Sequence, residues 1–529
     1  MRRRALVAAL LVLAIAAAWA VALHAPFTYD DRIEVVGNRT IRWLDAVGAI
    51  ASYNTSRPLL IATYALNWRL GGLDPFGYHV LSAAIHALNA LLAWRLASRL
   101  VSPERAALAT TLWALHPMTT DAVTYVTGRS DALEATSWLV ALTAWIDHRR
   151  GAPWGRTVAI GAVIAGLLTK EVGLLLPATL LAVDAVSGRA PRWRDHLVYG
   201  GAVALAFALR LTMYGWPAAE VPRGALAQLL SQAEVWSRYL GLWLVPVGQS
   251  ILHDHPGDAR LYGAVALALW VGAAVALGVQ ARRAPPDSPA RVRALALAVW
   301  AAWLLPSSAL PLRETMAEHR AYLAGFALLL GVVASLRTVR PVWVLVPLLF
   351  GATVARNRVW SDEVTLWSGA AAAYPESARA TYGWGEALRL ARRFQEAEPV
   401  YARAAALDPA SADARINLGI FRAESGDREG ARAAWRDVLR THPRSCPAHN
   451  NLGKLALDAG ELSEAAAAYA ATIRLCPDDP IANLNLANLA FDEADVRKAA
   501  FHYRAYLRVA EDGPAAPLAR AQLLRMGLE

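Results

Sequence analysis

The sequence predicts an all-α chain in two parts: a polytopic membrane helix bundle over residues 1–357 and an α-solenoid over residues 358–529. Three observations carry that reading. Hydrophobic residues make up 56% of the 529 and charged residues only 18%, with a mean hydropathy of +0.29; soluble domains lie nearer about 45–50% and 25%. Arginine clusters recur at every second gap between apolar runs. Beyond residue 360 one pattern returns every 34 residues.

The membrane part begins with Met1–Arg4 and an apolar run from Ala5 to Leu23. We read this as a retained first span rather than a signal peptide, although Ala20-Val-Ala22 is a passable cleavage site. Further apolar runs fall near 78–98, 106–117, 131–146, 157–169, 172–187, 196–214, 259–280, 292–306, 320–337 and 341–356. Several are shorter than the ~20 residues a straight span needs, so the arginines set the orientation. Clusters at 2–4, 95–105, 149–156, 189–194, 282–293 and 337–340 alternate along the chain, and placing them in the cytoplasm gives about eleven spans. The N-terminus is then cytoplasmic and the repeats extracytoplasmic. Ala225–Val247 would invert every later loop if it crossed, so it is expected to be an interfacial or re-entrant helix.

The net charge of +10 divides unequally. Residues 361–529 hold 20 basic and 23 acidic residues, leaving +13 on residues 1–360, between the apolar runs. That is a topology signal, and with no basic face interleaved with aromatics it argues against nucleic acid. Only Lys170, Lys454 and Lys498 are lysines among 53 basic residues, which with the abundant alanine suggests a GC-rich bacterium and its inner membrane.

In the second part, Pro375, Pro409, Pro443 and Pro477 stand 34 residues apart, as do Ala397, Ala431, Ala465 and Ala499. Tyr401, Trp435, Tyr469 and Tyr503 form a third ladder, and Gly385, Gly419, Gly453 and Ala487 a fourth. Four coincident ladders of this period identify tetratricopeptide repeats. Small residues let paired helices approach, aromatics fill the hairpin, and proline ends the second helix. Trp367 extends the aromatic ladder backwards, which makes 362–374 a half-repeat at the start of the stack, joined almost rigidly to the last span; 513–527 is expected as the closing helix.

Polar residues concentrate in outward loops, where surrounding hydrocarbon makes them conspicuous. These are Phe27-Thr-Tyr-Asp30-Asp31, His116-Pro-Met-Thr-Thr-Asp121 running to Gly128-Arg129-Ser-Asp131, Thr169-Lys170-Glu171, and Glu318-His319-Arg320-Ala-Tyr322. By the topology above all four face one side and can converge on one cavity. A carboxylate there can act as a general base, and a cation near it can stabilise developing negative charge. Lys170 and Arg129 are the available cations, with Arg57 and Arg320 behind them. Plainer readings stand beside these. Asp-Asp can solvate a loop or cap a helix, Lys170-Glu171 can be an ion pair, and His319 can be structural. His253-Asp-His255 has a metal-like spacing, but a pair in a loop is weak grounds for a metal.

These loops resemble, in order, those of the transmembrane-and-tetratricopeptide-repeat O-mannosyltransferases. The likeness runs through Phe27–Asp31, Arg57-Pro58-Leu, Asn67 and Gly72-Leu-Asp-Pro75-Phe-Gly77-Tyr78-His79. His116-Pro117, Thr120-Asp121-Ala-Val, Gly128-Arg129-Ser-Asp131, Lys170-Glu171 and Trp360–Trp367 continue it. It is weakest across residues 200–310. Two departures are Asp121, where relatives commonly have Glu, and Ala324-Gly325, where a proline often follows the tyrosine–leucine pair.

The resemblance implies a GT-C glycosyltransferase fold. Its lipid-linked donor would be a polyprenyl-phosphate sugar such as mannose, with no divalent metal and an extracytoplasmic acceptor polypeptide. It implies catalytic roles for Asp30, Asp31 and Asp121 and makes Lys170, Arg129, Arg57 and Arg320 the candidates to meet the carrier's phosphate; the loop reading adds Asp131, Glu171, Glu318 and His319 around the cavity. In the repeats Asn417, Asn451 and Asn485 form a further ladder suited to an extended peptide backbone. Two alternatives stay open: a non-catalytic scaffold carrying the solenoid, and a transferase acting on a glycan or lipid. The only cysteines, Cys446 and Cys476, fall at one end of one predicted hairpin, where they can form a disulfide or pack as two thiols.

Overall fold

The computed structural model describes residues 2–42, 57–214, 223–254, 260–285, 288–312, 314–409, 411–511 and 513–528. The chain separates into two compact units, Met1–Ala373 and Tyr374–Glu529. Among the described residues there is no strand, only an isolated bridge between His253 and Met316.

In the first unit the expected apolar runs are helices. Five are long and apolar enough to cross a membrane, by length and composition and among the described residues: Arg4–Ala22, Pro75–Ala97, Leu261–Arg283, Pro289–Ala309 and Arg340–Trp360. Other runs form shorter or more polar helices, among them Pro103–Ala114, Arg129–Arg149, Gly155–Leu167, Leu176–Ser187 and Tyr322–Ser335. Helix starts follow local chemistry. Proline opens Pro75–Ala97, Pro103–Ala114 and Pro289–Ala309, where its missing N–H costs nothing. Asp74 caps the first of these by accepting from the Phe76 N–H.

The unit is apolar outside as well as inside. Leu261, Leu269 and Val275 on Leu261–Arg283 are 75%, 69% and 62% exposed, a surface suited to hydrocarbon. The interior holds buried tryptophans (Trp113, Trp138, Trp145, Trp300 and Trp303) and polar ties between helices. His86 lies 2.6 Å from the Tyr322 hydroxyl and 2.9 Å from the Ala114 carbonyl, Asn89 donates to Ala132 O at 2.7 Å, and Trp113 donates to Tyr322 O at 2.9 Å. In a low-dielectric interior such bonds fix helix register.

Gly325, next to the Ala324 that follows the tyrosine–leucine pair, sits at a close helix contact. Trp243 lies against Gly325 so closely that a Cβ there would stand 2.0 Å from the indole. The Trp243 ring packs in turn on His116, with centroids 4.5 Å apart.

The second unit contains four helical hairpins: Ala378–Leu390 with Phe394–Leu407, Ala412–Glu424 with Arg428–Thr441, Cys446–Asp458 with Leu462–Leu475, and Pro480–Asp492 with Val496–Val509. Ala516–Arg525 follows and packs on the last hairpin. The small and aromatic ladders meet face to face. A Cβ at Gly419 would lie 2.3 Å from Trp435, and one at Gly453 would lie 2.9 Å from Tyr469. Ser377, Ser445 and Asp479 cap first helices, while Asp427 and Asp495 cap second helices. Cys446 and Cys476 form a disulfide across 6.5 Å between Cα atoms. Helix Glu363–Ala373, expected as the leading half-repeat, falls within the first unit.

Candidate active site

At one end of the first unit's helices lies a cavity of about 240 Å³. Eight residues singled out from the sequence line it: Asp30, Arg57, Asp121, Asp131, Lys170, Glu171, His319 and Arg320. They arrive on separate segments, and the seven from Arg57 to Arg320 meet there in ion pairs.

Asp121 Oδ2 accepts from the His319 backbone N–H at 2.7 Å and lies 3.1 Å from His319 Nδ1. Burial works against this carboxylate, but the His319 contacts outweigh it and hold its pKa below the ordinary value. On the other side of the imidazole, Nε2 is 4.0 Å from Asp131 Oδ2. That same oxygen accepts from Lys170 Nζ at 2.6 Å. Lys170 therefore pairs with Asp131 and not with its neighbour Glu171, which instead receives Arg57 at 3.1 and 3.2 Å. Arg320 lies 3.7 Å from the Glu314 carboxylate and donates to the Glu314 carbonyl at 2.8 Å.

Three expected site residues do not line the cavity. Asp31 is 1% exposed and turns into the backbone of the next loop. It accepts from the Thr127 N–H and hydroxyl at 2.7 and 2.6 Å, from Val126 N at 3.3 Å, and from Thr28 N at 3.4 Å. Burial pushes its pKa up, the donors pull it back, and it settles at about 7. Tyr29, in the left-handed region at φ 52°, makes the turn that precedes the two acids. Its hydroxyl donates to Glu314 Oε1 at 2.5 Å.

Arg129, expected among the phosphate ligands, is fully buried in a structural cage. It donates to Ser82, Thr63, Asn67 and the Tyr78 carbonyl at 2.8–3.0 Å, and its guanidinium stacks near Tyr64 and Tyr78. Its geometry ties three helices together and turns it from the cavity. Glu318 likewise points into protein, accepting from Ser250 N at 2.7 Å and Gln249 Nε2 at 3.0 Å, with His253 Nε2 at 2.9 Å. That contact accounts for His253; His255 lies outside the described residues. Among the described residues no three His, Cys, Asp or Glu side chains converge as a metal site.

Sequence reasoning missed Glu314, Tyr29, Tyr125 and Trp303 on the cavity wall. Glu314 stands four residues before Glu318 in a short polar stretch, a signal that was available. Trp303 sits inside an apolar run and carries none. The helix Ala225–Leu244, expected as an interfacial or re-entrant segment, also bears on the site. Its buried stripe holds the loop that supplies Glu314: Gln228 donates to Ser308 O and Leu310 O at 2.9 and 3.0 Å, Gln232 to Thr315 O at 3.3 Å, and Tyr239 to Ala317 O at 2.7 Å.

In the second unit, the Asn417 and Asn485 amides donate back to the Asp413 and Ile481 carbonyls of their own helices at 2.9 and 3.0 Å. Asn451 occupies the equivalent place between them, half-buried.

Comparison with known proteins bears on both units. Residues 56–216 match the family described as dolichyl-phosphate-mannose-protein mannosyltransferase. Residues 364–412 and 416–480 match the tetratricopeptide repeat. The chain is 24% identical over 429 residues to the Caenorhabditis elegans protein O-mannosyl-transferase F38B6.6, covering 73% of this chain and 60% of that one. It is 24% identical over 486 residues to mouse protein O-mannosyl-transferase TMTC3, covering 78% and 52%. Drosophila melanogaster Tmtc1 is 29% identical over 167 residues, covering 29% and 19%. The aligned chain thus spans from about a fifth to three fifths of the length of these relatives. In both of its modules, and in their order, the chain resembles the transmembrane-and-tetratricopeptide-repeat O-mannosyltransferases.

Proposed function

We propose that this protein is a membrane glycosyltransferase that moves a sugar, mannose by its likeness to the relatives, from a polyprenyl-phosphate carrier to Ser or Thr of an extracytoplasmic polypeptide. The observation that carries the reading is the joining of Asp30, Asp121, Asp131, Arg57, Lys170 and Arg320 in one cavity. Asp30 takes the proton of the acceptor hydroxyl as that oxygen bonds to the sugar's anomeric carbon. The bond from that carbon to the phosphate oxygen breaks, and the electron pair leaves on the lipid phosphate. Arg57 and Arg320 meet the developing charge, since both are partly exposed to the cavity and their guanidinium forks suit phosphate. Asp121, already engaged by His319, positions that imidazole. Lys170 and Asp131 neutralise one another beneath the site.

The repeats recruit the acceptor, and their disulfide supports an extracytoplasmic location, because such bonds persist in oxidising compartments. Incubating the purified chain with polyprenyl-phosphate mannose and a Ser/Thr peptide should yield a peptide heavier by one hexose. Comparing extracytoplasmic proteins from cells with and without the chain extends the test to the natural acceptor. Unmodified peptide together with identical proteomes would reject the transferase reading. Function retained by D30N would favour a scaffold.

A further inference from the structure

The end of the first unit remote from the catalytic cavity carries a second, differently built cleft. Three helices connect the two ends. Arg129–Arg149 has Asp131 on the cavity and Arg149 at the cleft. At 1.5 Å per residue these lie roughly 27 Å apart, close to a hydrocarbon thickness. Pro289–Ala309 runs the other way, from Arg291 at the cleft to Trp303 and Ser307 at the cavity. Glu171 on the cavity leads into Leu176–Ser187, whose Val186 and Ser187 reach the cleft.

The cleft has a volume of about 70 Å³ and a rim of four arginines, Arg149, Arg150, Arg189 and Arg291. One water needs only about 10–15 Å³. Its inner wall of Leu100, Ile146, Val292 and Leu295 is shared with an adjoining cavity of about 30 Å³ lined only by apolar side chains. Arg149 pairs with Asp184 at 2.9 Å. The other three make no ion pair among the described residues and donate to backbone carbonyls: Arg150 to Arg99 O at 2.9 Å, Arg189 to Arg149 O at 2.8 Å, and Arg291 to Val186 O and Ala284 O at 2.7 and 3.1 Å. These bonds hold the guanidinium groups at the rim without an ion-pair partner in contact; Arg150 feels the charge of Asp147, which is itself paired with Arg99. Gly188 makes room for Arg291, since a Cβ there would stand 2.6 Å from its Nη1.

We propose that this cleft binds an anionic membrane phospholipid, its phosphate among Arg150, Arg189 and Arg291 and one acyl chain entering along Leu100, Ile146, Val292 and Leu295. Charge complementarity selects the headgroup, because three unpaired guanidinium groups favour a lipid of net negative charge over a zwitterion. The apolar cavity behind the rim selects a lipid over a free anion. The site is independent of the proposed transfer chemistry, which takes place at the other helix ends.

The test uses the purified full-length chain in a neutral detergent. Adding phosphatidylglycerol should raise the thermal midpoint by about 5 °C at saturation, while phosphatidylcholine and inorganic phosphate should not. R150Q/R189Q, both on exposed side chains, should lose most of that rise while keeping the lipid-free midpoint. V186W, which fills the cleft without changing charge, should lose it too. An equal rise with phosphatidylcholine or with inorganic phosphate would overturn the proposal, as would an undiminished rise in both variants.

Discussion

Replacing Asp30 by Asn should lower turnover by about 10²–10⁴-fold, the usual range for loss of a general base, and leave the thermal midpoint unchanged. Asp31→Asn should do the reverse. Its carboxylate accepts from four donors that tie the first loop to Val126 and Thr127, and an amide offers one acceptor where two oxygens served. The expected loss is about 1–3 kcal/mol of stability. The Asp31 pKa also sets a pH signature. It rises on folding from 3.8 to about 7, so the folded state holds a proton that the unfolded chain releases. This contribution is fully present below about pH 4 and is lost as pH climbs through 7. Calorimetry across that window should show a falling midpoint in the parent and a flatter profile in D31N.

Lys170 and Asp131 give a second residue-scale test. Removing one member of a buried pair typically costs about 3–5 kcal/mol, and removing both costs much less. Lys170→Met should therefore be more destabilising alone than in combination with Asp131→Asn, as measured by a double-mutant cycle on thermal stability. Additive losses would mean the pair is not the main role of Lys170.

At the scale of elements, the closest packing is the most exposed to substitution. Gly325→Ala forces a methyl into the Trp243 indole, so the helix Tyr322–Ser335 must shift from Ala225–Leu244. The cost should be about 1–3 kcal/mol, read as a lower midpoint, with turnover also reduced because Ala225–Leu244 braces the Glu314 loop. In the solenoid, reducing Cys446–Cys476 opens a loop with a sequence separation of 30. On the chain-entropy model that removes roughly 3–4 kcal/mol from this hairpin. Thiol trapping before and after reduction, paired with thermal unfolding, should show two protected cysteines and a less stable reduced form.

At the scale of the molecule, the alternating arginines are the basis for proposing a cytoplasmic N-terminus and repeats on the outer side. A reporter active only in the cytoplasm, fused after Glu529, should stay silent; activity there would invert the scheme. This orientation would put the arginine-rimmed cleft on the cytoplasmic side and the catalytic cavity on the outer side, a carrier lipid's phosphate and an anionic phospholipid then being met at opposite helix ends.

The repeats and the helical membrane unit were legible from sequence because both rest on local regularity. A 34-residue ladder records contacts within one hairpin, such as Gly419 with Trp435. Apolar runs interrupted by arginine record a solvent, not a partner. The polar loops were legible as loops, and seven of the candidate residues in them share the cavity with Arg57. Which way each side chain turns was not legible, since it depends on segments far away in the chain. Asp31 is claimed by Thr127, 96 residues on; Lys170 is claimed by Asp131, 39 residues back; Arg129 is claimed by Thr63, Asn67 and Tyr78. A buried charge must find its partners wherever packing brings them, and only the tertiary structure decides which of two adjacent acids meets the cavity and which one seals the fold behind it.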